Sequence, residues 1–228
     1  MITEEHFFMS DNIYFIMVID DHPIIHDGLD ILFAKDAQFK ITGHARSAAE
    51  TMDQLDMGLP DIAIIDLSMG DLDGTYLVQR IHSKYPKLKM LVYTMSEEIL
   101  FAERSANAGA SGYVMKTAPP ATLKVAIRTI MEGGLYFSEG ILAKIERTLN
   151  GRNSGSHTII DTLSNREMDI FKLLGEGLDA VAMSEKLNIS RNTVDTHRIN
   201  IKNKLDLPSG KALERLAYEV IKQGQLPD

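Results

Sequence analysis

The stretch that decides the fold lies between residues 60 and 74 and runs Pro60-Asp61-Ile62-Ala63-Ile64-Ile65-Asp66-Leu67-Ser68-Met69-Gly70-Asp71-Leu72-Asp73-Gly74. Its apolar part is short, continuous and bounded by Pro and Gly, a pattern typical of a strand buried on both faces of a parallel sheet. Asp66 follows this strand at its carboxyl end, where doubly wound folds place their ligands. A single Asp after a strand is more often a helix cap or the start of a turn, so its role depends on the rest of the chain.

Strand and helix patterns alternate through the first 135 residues. Buried-strand patterns occupy residues 14–19, 39–44, 62–65, 89–93 and 112–115. A helix begins at Pro23, with Ile24, Leu29 and Leu32 as candidates for its core face, and further helices are predicted at 47–57, 74–85, 97–108 and 121–132. Five strand–helix units in a row predict an α/β fold, a doubly wound parallel (βα)5 sheet with helices on both faces.

The carboxyl ends of these parallel strands share one edge of the sheet. That edge collects three carboxylates, one hydroxyl and one amine, from Asp20, Asp21, Asp66, Thr94 and Lys116. Three neighbouring carboxylates repel one another and call for a hard cation such as Mg²⁺. A metal in this place neutralises phosphate oxygens and leaves one carboxylate to attack phosphorus, while the amine and the hydroxyl bind phosphoryl oxygens. The pattern therefore favours an acyl phosphate site over a Lys–Asp pair that only holds the sheet edge together.

Composition and charge indicate two domains in a water-soluble protein. The 228 residues include no Cys, which excludes disulfides and Cys-based zinc sites. No apolar run approaches the roughly 18 residues of a membrane span, so no membrane partner and a cytoplasmic location are expected. The net charge of −8 is uneven: residues 1–150 hold 13 basic and 21 acidic side chains, and residues 157–228 hold 10 and 11. This asymmetry suggests two domains with different partners.

The second half of the chain has a helical pattern. Apolar residues between 134 and 149 predict a short helix, and residues 150–156 have the composition of a flexible linker. Ser164 and Glu167 form a capping-box pattern at the start of the next helix. Helices at 181–187 and 193–205, joined by a tight turn, are typical of a helix-turn-helix. The last of these carries a local basic stripe suited to phosphate contacts, namely Arg191, Arg198, Lys202 and Lys204.

The first domain resembles the receiver domain of bacterial response regulators. The motifs that carry the resemblance are Val18-Ile19-Asp20-Asp21-His22-Pro23, Asp61-Ile62-Ala63-Ile64-Ile65-Asp66-Leu67-Ser68-Met69 and Gly109-Ala110-Ser111-Gly112-Tyr113-Val114-Met115-Lys116. The resemblance implies that Asp66 accepts a phosphoryl group from a sensor histidine kinase. It also implies that Mg²⁺ is held by Asp20, Asp21, Asp66 and the Ser68 carbonyl, that Thr94 and Tyr113 form a switch pair, and that Lys116 binds the phosphate.

Residues 163–205 resemble the LuxR-type helix-turn-helix. The motifs are Leu163-Ser164-Asn165-Arg166-Glu167, Gly175-Glu176-Gly177-Leu178 and Ser190-Arg191-Asn192-Thr193-Val194-Asp195-Thr196-His197-Arg198. Both domains together resemble the NarL/FixJ class, which implies a phosphorylation-controlled transcription factor that binds double-stranded DNA as a homodimer and is not an enzyme. The expected DNA contacts are Arg191, Asn192, Asp195, Thr196, Arg198, Ile199, Lys202 and Asn203, and the expected dimer helix carries Ala212, Leu213, Leu216, Ala217, Val220 and Ile221.

The expected domain limits are a leader at 1–12, a receiver at 13–134, a connecting helix and linker at 135–159, and the DNA-binding domain at 160–228. Three residues depart from the family pattern. Gly70 stands where Pro is frequent, and Thr117 replaces a Pro after Lys116, so a trans peptide is expected there. Asp195 stands where Lys is common, and an acid in the groove is repelled by phosphate but can accept from cytosine.

Two hypotheses from other classes remain open at this point. The same carboxylate crevice could belong to a metal-dependent phosphohydrolase with an Asp nucleophile, although such an enzyme has no use for a recognition helix. Alternatively, Asp195 could abolish DNA binding, so that the protein acts through protein contacts alone. A dinucleotide-binding module is disfavoured because no Gly-x-Gly-x-x-Gly follows any strand.

Overall fold

The computed structural model of the protein describes residues 13–69, 72–149 and 162–223. Within these ranges the strands are β1 Tyr14–Ile19, β2 Phe39–Ala45, β3 Ile62–Ile65, β4 Ser68–Met69, β5 Leu72–Asp73, β6 Lys89–Thr94 and β7 Gly112–Met115. The helices are α1 Pro23–Ala34, α2 Ala48–Met57, α3 Gly74–Lys84, α4 Glu98–Asn107, α5 Pro120–Met131, α6 Glu139–Leu149, α7 Asn165–Gly175, α8 Ala180–Leu187, α9 Arg191–Lys204 and α10 Gly210–Gln223. The expected leader at 1–12 and the linker at 150–156 lie outside the described residues.

The main sheet has five parallel strands in the order β2-β1-β3-β6-β7. This arrangement confirms the predicted doubly wound (βα)5 fold. The strand order reverses between β1 and β3, and such a reversal opens a crevice at the carboxyl edge of the sheet. Ile19 pairs with Ile65 across these two strands, so Asp20 and Asp66, the next residue of each strand, leave the sheet side by side.

Alternation of side chains along the strands divides the core into two layers. Ile16, Val18, Ile62 and Ile64 point to one face, where they pack with buried side chains of α1 and α5. Met17, Ile19, Ala63 and Ile65 point to the other face, where α2, α3 and α4 cover them. Both faces of β1 and β3 are therefore buried, which explains why their sequences are continuously apolar.

The predicted core face of α1 is partly wrong. Ile24 is 73% exposed, whereas Leu29 is buried as expected. The buried side chains of this helix are His26, Leu29 and Phe33, at intervals of three and four residues. Ile24 lies in the first turn, one step off that face, so its side chain points to solvent.

A short hairpin that the sequence did not predict follows the acidic strand end. Strands β4 and β5 pair antiparallel, with Ser68 opposite Asp73 and Met69 opposite Leu72. Each strand has two residues, which is too short to show a period. Gly74 closes this segment, and a Cβ there would lie 2.6 Å from the Leu67 carbonyl oxygen. Only glycine fits this close approach behind Asp66.

The short helix predicted between residues 134 and 149 is present as α6. It packs against α4 with Ile141 buried, and the Ser138 backbone N–H donates to Glu98 Oε1 at 2.7 Å. No cis peptide bond occurs among the described residues, so the peptide between Lys116 and Thr117 is trans as expected.

Helices α7 to α10 form the C-terminal domain. The predicted capping box is present at α7, where the Glu167 backbone N–H donates to Ser164 Oγ and the Ser164 N–H donates to the Glu167 side chain. Asn188 ends α8 in the left-handed conformation, and Ser190 caps α9. These two helices and their tight turn form the predicted helix-turn-helix. In the described part of the chain, none of the helices is long and apolar enough to cross a bilayer.

Candidate functional site

An acidic pocket lies at the carboxyl edge of the sheet, between β1, β3 and β7. Lys116 Nζ donates to Asp20 Oδ2 at 2.6 Å and to Asp66 Oδ2 at 2.7 Å. All three side chains are at least nine-tenths buried, while the Asp21 side chain is one-third exposed at the mouth of the pocket. The structure therefore brings together the strand-end residues that the sequence singled out for phosphoryl chemistry.

The charge of Lys116 is fixed by its two partners. Burial alone would lower the pKa of its amine, but the carboxylates of Asp66 and Asp20 outweigh burial and hold the pKa above its usual value. Lys116 is therefore a permanent cation in this pocket. It offsets part of the repulsion between two buried carboxylates, which would otherwise be costly to bring together.

The remaining carboxylate charge suits a hard cation. Ligand atoms of Asp20, Asp21, His22 and Asp66 all lie within 4.8 Å of one another. Two or three carboxylates that face a partly open mouth fit Mg²⁺, which keeps several of its waters. The Ser68 backbone N–H donates to Asp66 Oδ1 at 3.1 Å, which places the residue expected to supply a carbonyl ligand next to the pocket.

The predicted switch residues lie beside this pocket and are both buried. Thr94 ends β6, and its carbonyl accepts from the Lys116 backbone N–H at 2.7 Å. Tyr113 points inward, and its hydroxyl donates to the Ser96 carbonyl at 2.9 Å. Burial, with the nearby negative charges of Asp169 and Asp66, raises the pKa of the Tyr113 phenol far above its usual value. The phenol is therefore neutral and available as a hydrogen-bond donor.

Sequence reasoning gave Ser96 no role, although it joins these parts of the site. Its carbonyl accepts from Tyr113, its backbone N–H donates to Thr94 Oγ1 at 3.3 Å, and its hydroxyl lies 3.5 Å from the Ser68 hydroxyl. Its position two residues after a strand end was the only available signal, and a serine there is an ordinary loop residue.

Helix α7 of the C-terminal domain packs against the receiver near this site. The Asn165 amide N–H donates to Thr75 Oγ1 at 2.9 Å, Lys172 Nζ binds Glu97 Oε1 at 2.6 Å, and the Arg104 guanidinium donates to the Leu163 carbonyl. Buried apolar side chains of both domains belong to one continuous cluster. The described domains are therefore docked, which the sequence left open.

Asp169 is a mostly buried acidic residue of α7, the helix that packs against the receiver. Its side chain is 18% exposed and lies 4.0 Å from Arg166 Nη1. Burial raises the pKa of Asp169 to about 6; Arg166 and Lys172 oppose the rise, and the charge of Asp66 adds to it. The charge of Asp66 in the acidic pocket thus adds to the rise in the pKa of a carboxyl group of the C-terminal domain.

The helix expected to contact DNA presents a polar face to solvent. Exposed residues on α9 are Arg191, Asn192, Thr196, Ile199, Asn200, Asn203 and Lys204. Asp195 is about half exposed, and its Oδ2 lies 3.9 Å from Arg191 Nε one turn earlier. Val194 and Ile201 are fully buried on the opposite face. The docked receiver therefore leaves the outer face of α9 accessible.

Three of the four cations of the expected basic stripe have acidic partners. Lys204 Nζ lies 2.6 Å from Glu167 Oε2 on α7. Arg198 Nη2 lies 2.6 Å from Glu214 Oε1 on α10. Arg191 has the weaker contact with Asp195, while Lys202 is partly exposed. His197 is partly buried. The basic stripe is real, but Arg198 is held at its edge by an acidic neighbour.

A five-stranded receiver sheet with a strand-end acidic pocket, followed by a helix-turn-helix domain, defines a DNA-binding response regulator. Residues 16–128 match the family described as response regulator receiver domain, and residues 161–217 match the bacterial regulatory proteins of the luxR family. The chain is 31% identical over 195 residues to a putative transcriptional regulator of Pseudomonas aeruginosa, covering 85% of this chain and 92% of that protein. The chain belongs to the NarL/FixJ class of two-component response regulators.

Other relatives agree with this assignment. The chain is 28% identical over 194 residues to the virulence factors putative positive transcription regulator BvgA of Bordetella pertussis, covering 85% of this chain and 91% of that protein. A LuxR-family response regulator from Aurantimonas sp. SI85-9A1 is 31% identical with a TM-score of 0.55, over 60% of this chain and 98% of that one. RcsB from Salmonella enterica serovar Typhimurium, solved bound to promoter rprA, is 23% identical with a TM-score of 0.56, over 90% of this chain and 98% of that one. This last match concerns the fold alone.

Proposed function

We propose that Asp66 is the phosphoryl acceptor of this response regulator and that a sensor histidine kinase is the donor. The observation that carries this proposal is the position of the Asp66 carboxylate, at a strand end between the Lys116 ammonium and the Ser68 N–H. An Asp66 oxygen attacks phosphorus, the bond from phosphorus to the kinase histidine breaks, and an acyl phosphate forms. Lys116 then binds a phosphoryl oxygen, and Thr94 supplies a hydroxyl for another.

Magnesium is the cation that this pocket would hold, through Asp20, Asp21, Asp66 and the Ser68 carbonyl. When bound, Mg²⁺ neutralises the negative charge that develops on the phosphoryl oxygens. The donor set of carboxylate and carbonyl oxygens supports this choice.

Intact mass measurement with acetyl phosphate and Mg²⁺ tests the acceptor. The unchanged protein is expected to gain the mass of one phosphoryl group, and Asp66→Asn is expected to gain none. Asp53→Asn, which changes an exposed carboxylate on α2, is the matched control and should label normally. Continued labelling of Asp66→Asn would place the acceptor elsewhere, and continuous turnover of a generic phosphate ester would favour the phosphohydrolase hypothesis.

For the DNA-binding domain, we propose that α9 enters the major groove with Asp195, Thr196 and Ile199 near base edges. Asn192 and Asn203 flank these side chains on the exposed face, and Arg191, Arg198 and Lys202 are the proposed phosphate contacts. Exposure of this face in the docked protein supports the proposal. The Arg191–Asp195 contact suggests that Asp195 also restrains a phosphate-binding cation.

Selection from a random-sequence DNA pool tests this surface. Asp195→Lys removes a repulsion, frees Arg191 and adds a donor for guanine, so it should strengthen binding and change the preferred sequence. Glu185→Lys makes the same charge change at an exposed position of α8 and should raise affinity without changing the preference. If the two variants give the same selected sequence, α9 does not read the groove through Asp195. If the unchanged protein binds no DNA and Asp195→Lys does, Asp195 abolishes DNA binding and the protein acts through protein contacts.

We further propose that α10 pairs two DNA-binding domains. Leu213 and Ala217 of its apolar stripe are fully buried within the domain and are unavailable for a partner. Leu216 and Val220 are partly exposed, and Tyr218 is 52% exposed, which leaves an apolar strip for a second copy. The proposed domain limits remain 13–134 for the receiver, 135–159 for the connecting segment and 160–228 for the DNA-binding domain.

A further inference from the structure

A chain of hydrogen-bonding side chains lies behind the acidic pocket, on the side away from Lys116. His26 Nε2 is 2.6 Å from the Asp20 carbonyl oxygen, and His26 Nδ1 is 2.7 Å from His44 Nδ1. His44 Nε2 is in turn 3.2 Å from Asp30 Oδ1. This series of side chains joins α1 and β2 to the end of β1. It contacts the main-chain carbonyl of Asp20 and includes none of the side chains assigned to phosphoryl transfer.

The direction of these hydrogen bonds follows from their acceptors. A carbonyl oxygen only accepts, so His26 Nε2–H donates to Asp20. When the His26 ring carries this single N–H, its other nitrogen is an acceptor for His44 Nδ1–H. Asp30 accepts from His44 Nε2–H when the His44 ring carries a proton on each nitrogen. His26 is only 5% exposed, so bulk water cannot replace its bond to the carbonyl. The Asp20 carbonyl therefore depends on His26 for its side-chain partner.

This carbonyl has a special place in the pocket because it belongs to the peptide that joins Asp20 to Asp21. A peptide unit is planar, so an anchored oxygen also sets the direction in which the Asp21 backbone leaves. The side chains of these two residues point into the acidic pocket, where Asp21 is the more exposed. A hydrogen bond to this one oxygen thus restrains both carboxylates of the pair.

We infer that His26, braced by His44 and Asp30, is a positioning residue that holds the Asp20–Asp21 pair in the arrangement that binds a divalent cation. This inference rests on the cation site proposed above and adds residues outside its donor set. Groups that orient metal ligands from behind commonly change metal affinity by about 10–100-fold when removed. The expected effect lies in cation affinity, beyond any effect on folding.

Binding of Mn²⁺ alone, followed by the electron paramagnetic resonance signal of the free ion, tests the inference without phosphorylation. His26→Leu is expected to weaken Mn²⁺ binding by about tenfold. His26→Gln should stay close to the unchanged protein, because its amide N–H can occupy the place of Nε2–H. Thr51→Val is the control, because it removes a buried hydrogen bond from the Thr51 hydroxyl to the Ser47 carbonyl, away from the pocket. This variant should lose about as much thermal stability as His26→Leu but keep its Mn²⁺ affinity unchanged.

The outcomes separate this inference from the proposal on which it rests. No Mn²⁺ binding by the unchanged protein would refute the cation site itself. Normal binding by both the unchanged protein and His26→Leu would refute only the positioning role, as would equal losses in His26→Leu and His26→Gln. If His26→Leu does not fold, His44→Leu decides, since His44 is 37% exposed and tolerates change. It should weaken Mn²⁺ binding in the same direction, and unchanged affinity would overturn the inference.

Discussion

Lys116 is the residue on which the charge balance of the receiver pocket depends. It is the shared partner of two buried carboxylates, at 2.6 and 2.7 Å. Removal of one member of a buried ionic group leaves the others uncompensated, which is far more costly than loss of a surface pair.

We expect Lys116→Met to lower the free energy of unfolding by about 3 kcal/mol in the absence of divalent cations. Mg²⁺ should restore more stability to this variant than to the unchanged protein, because the cation then supplies the missing positive charge. Urea unfolding with and without Mg²⁺ measures both quantities. Lys124→Met, which breaks a partly exposed pair with Asp36, should cost less than about 1 kcal/mol. Equal losses in the two variants would show that Lys116 has no special electrostatic role.

At the scale of elements, the close crossing of α7 and α10 depends on one glycine. A Cβ on Gly175 would lie 2.5 Å from the Ala217 carbonyl oxygen and 2.7 Å from Ile221 Cγ1. The first of these atoms belongs to the backbone and cannot move aside without displacing α10.

Gly175→Ala is therefore expected to destabilise the C-terminal domain by about 1–3 kcal/mol, the usual cost of overpacking. Gly140→Ala makes the same change in α6, where nothing lies within 4 Å of the new methyl group. It should be neutral or stabilise by up to about 1 kcal/mol, since alanine favours helix. Chemical unfolding followed by far-ultraviolet circular dichroism distinguishes them, and a stable Gly175→Ala protein would contradict the crossing.

The elements also show how far sequence could predict this structure. Continuous apolar runs at β1 and β3 and the strand-end position of Asp66 were sufficient to predict the sheet and the residues of the acidic pocket. The position of Ile24 was wrongly predicted because a helix of a few turns can have two faces that carry apolar side chains. The buried face is the one that contains His26. Ser96 and the β4–β5 hairpin lacked any periodic signal. The Asn165–Thr75 contact joins residues 90 positions apart and depends on domain placement.

At the scale of the whole molecule, the docked domains bring one carboxylate of α7 within the electrostatic influence of Asp66 in the receiver pocket. Asp169 has a raised pKa of about 6 through burial, in the field of Asp66 and beside Arg166 and Lys172. Tyr113 of β7 is affected by the same charge. The part of this rise that Asp66 causes exists only when the domains are docked, so the docked state binds more protons than the undocked one. The contribution of Asp169 to docking is therefore complete at a pH below the ordinary pKa of Asp, and it is lost as the pH rises through about 6.

Docking is thus expected to strengthen as pH falls from about 7.5 to 5 and to weaken when Asp66 gains a phosphoryl group, which adds negative charge near Asp169. Asp169→Asn removes the titrating charge and should keep the domains docked at pH 7.5, with no change in docking between these pH values.

The absence of Cys in the chain allows spin labels at Lys87→Cys and Lys211→Cys, two exposed positions in different domains. The interspin distance distribution should be broad at pH 7.5 and narrow at pH 5.5 in the unchanged background, but narrow at both values with Asp169→Asn. Lys172→Ala, which removes the 2.6 Å contact with Glu97, should broaden the distribution at both. A distribution that does not change with pH in the unchanged background would show that Asp169 does not control docking.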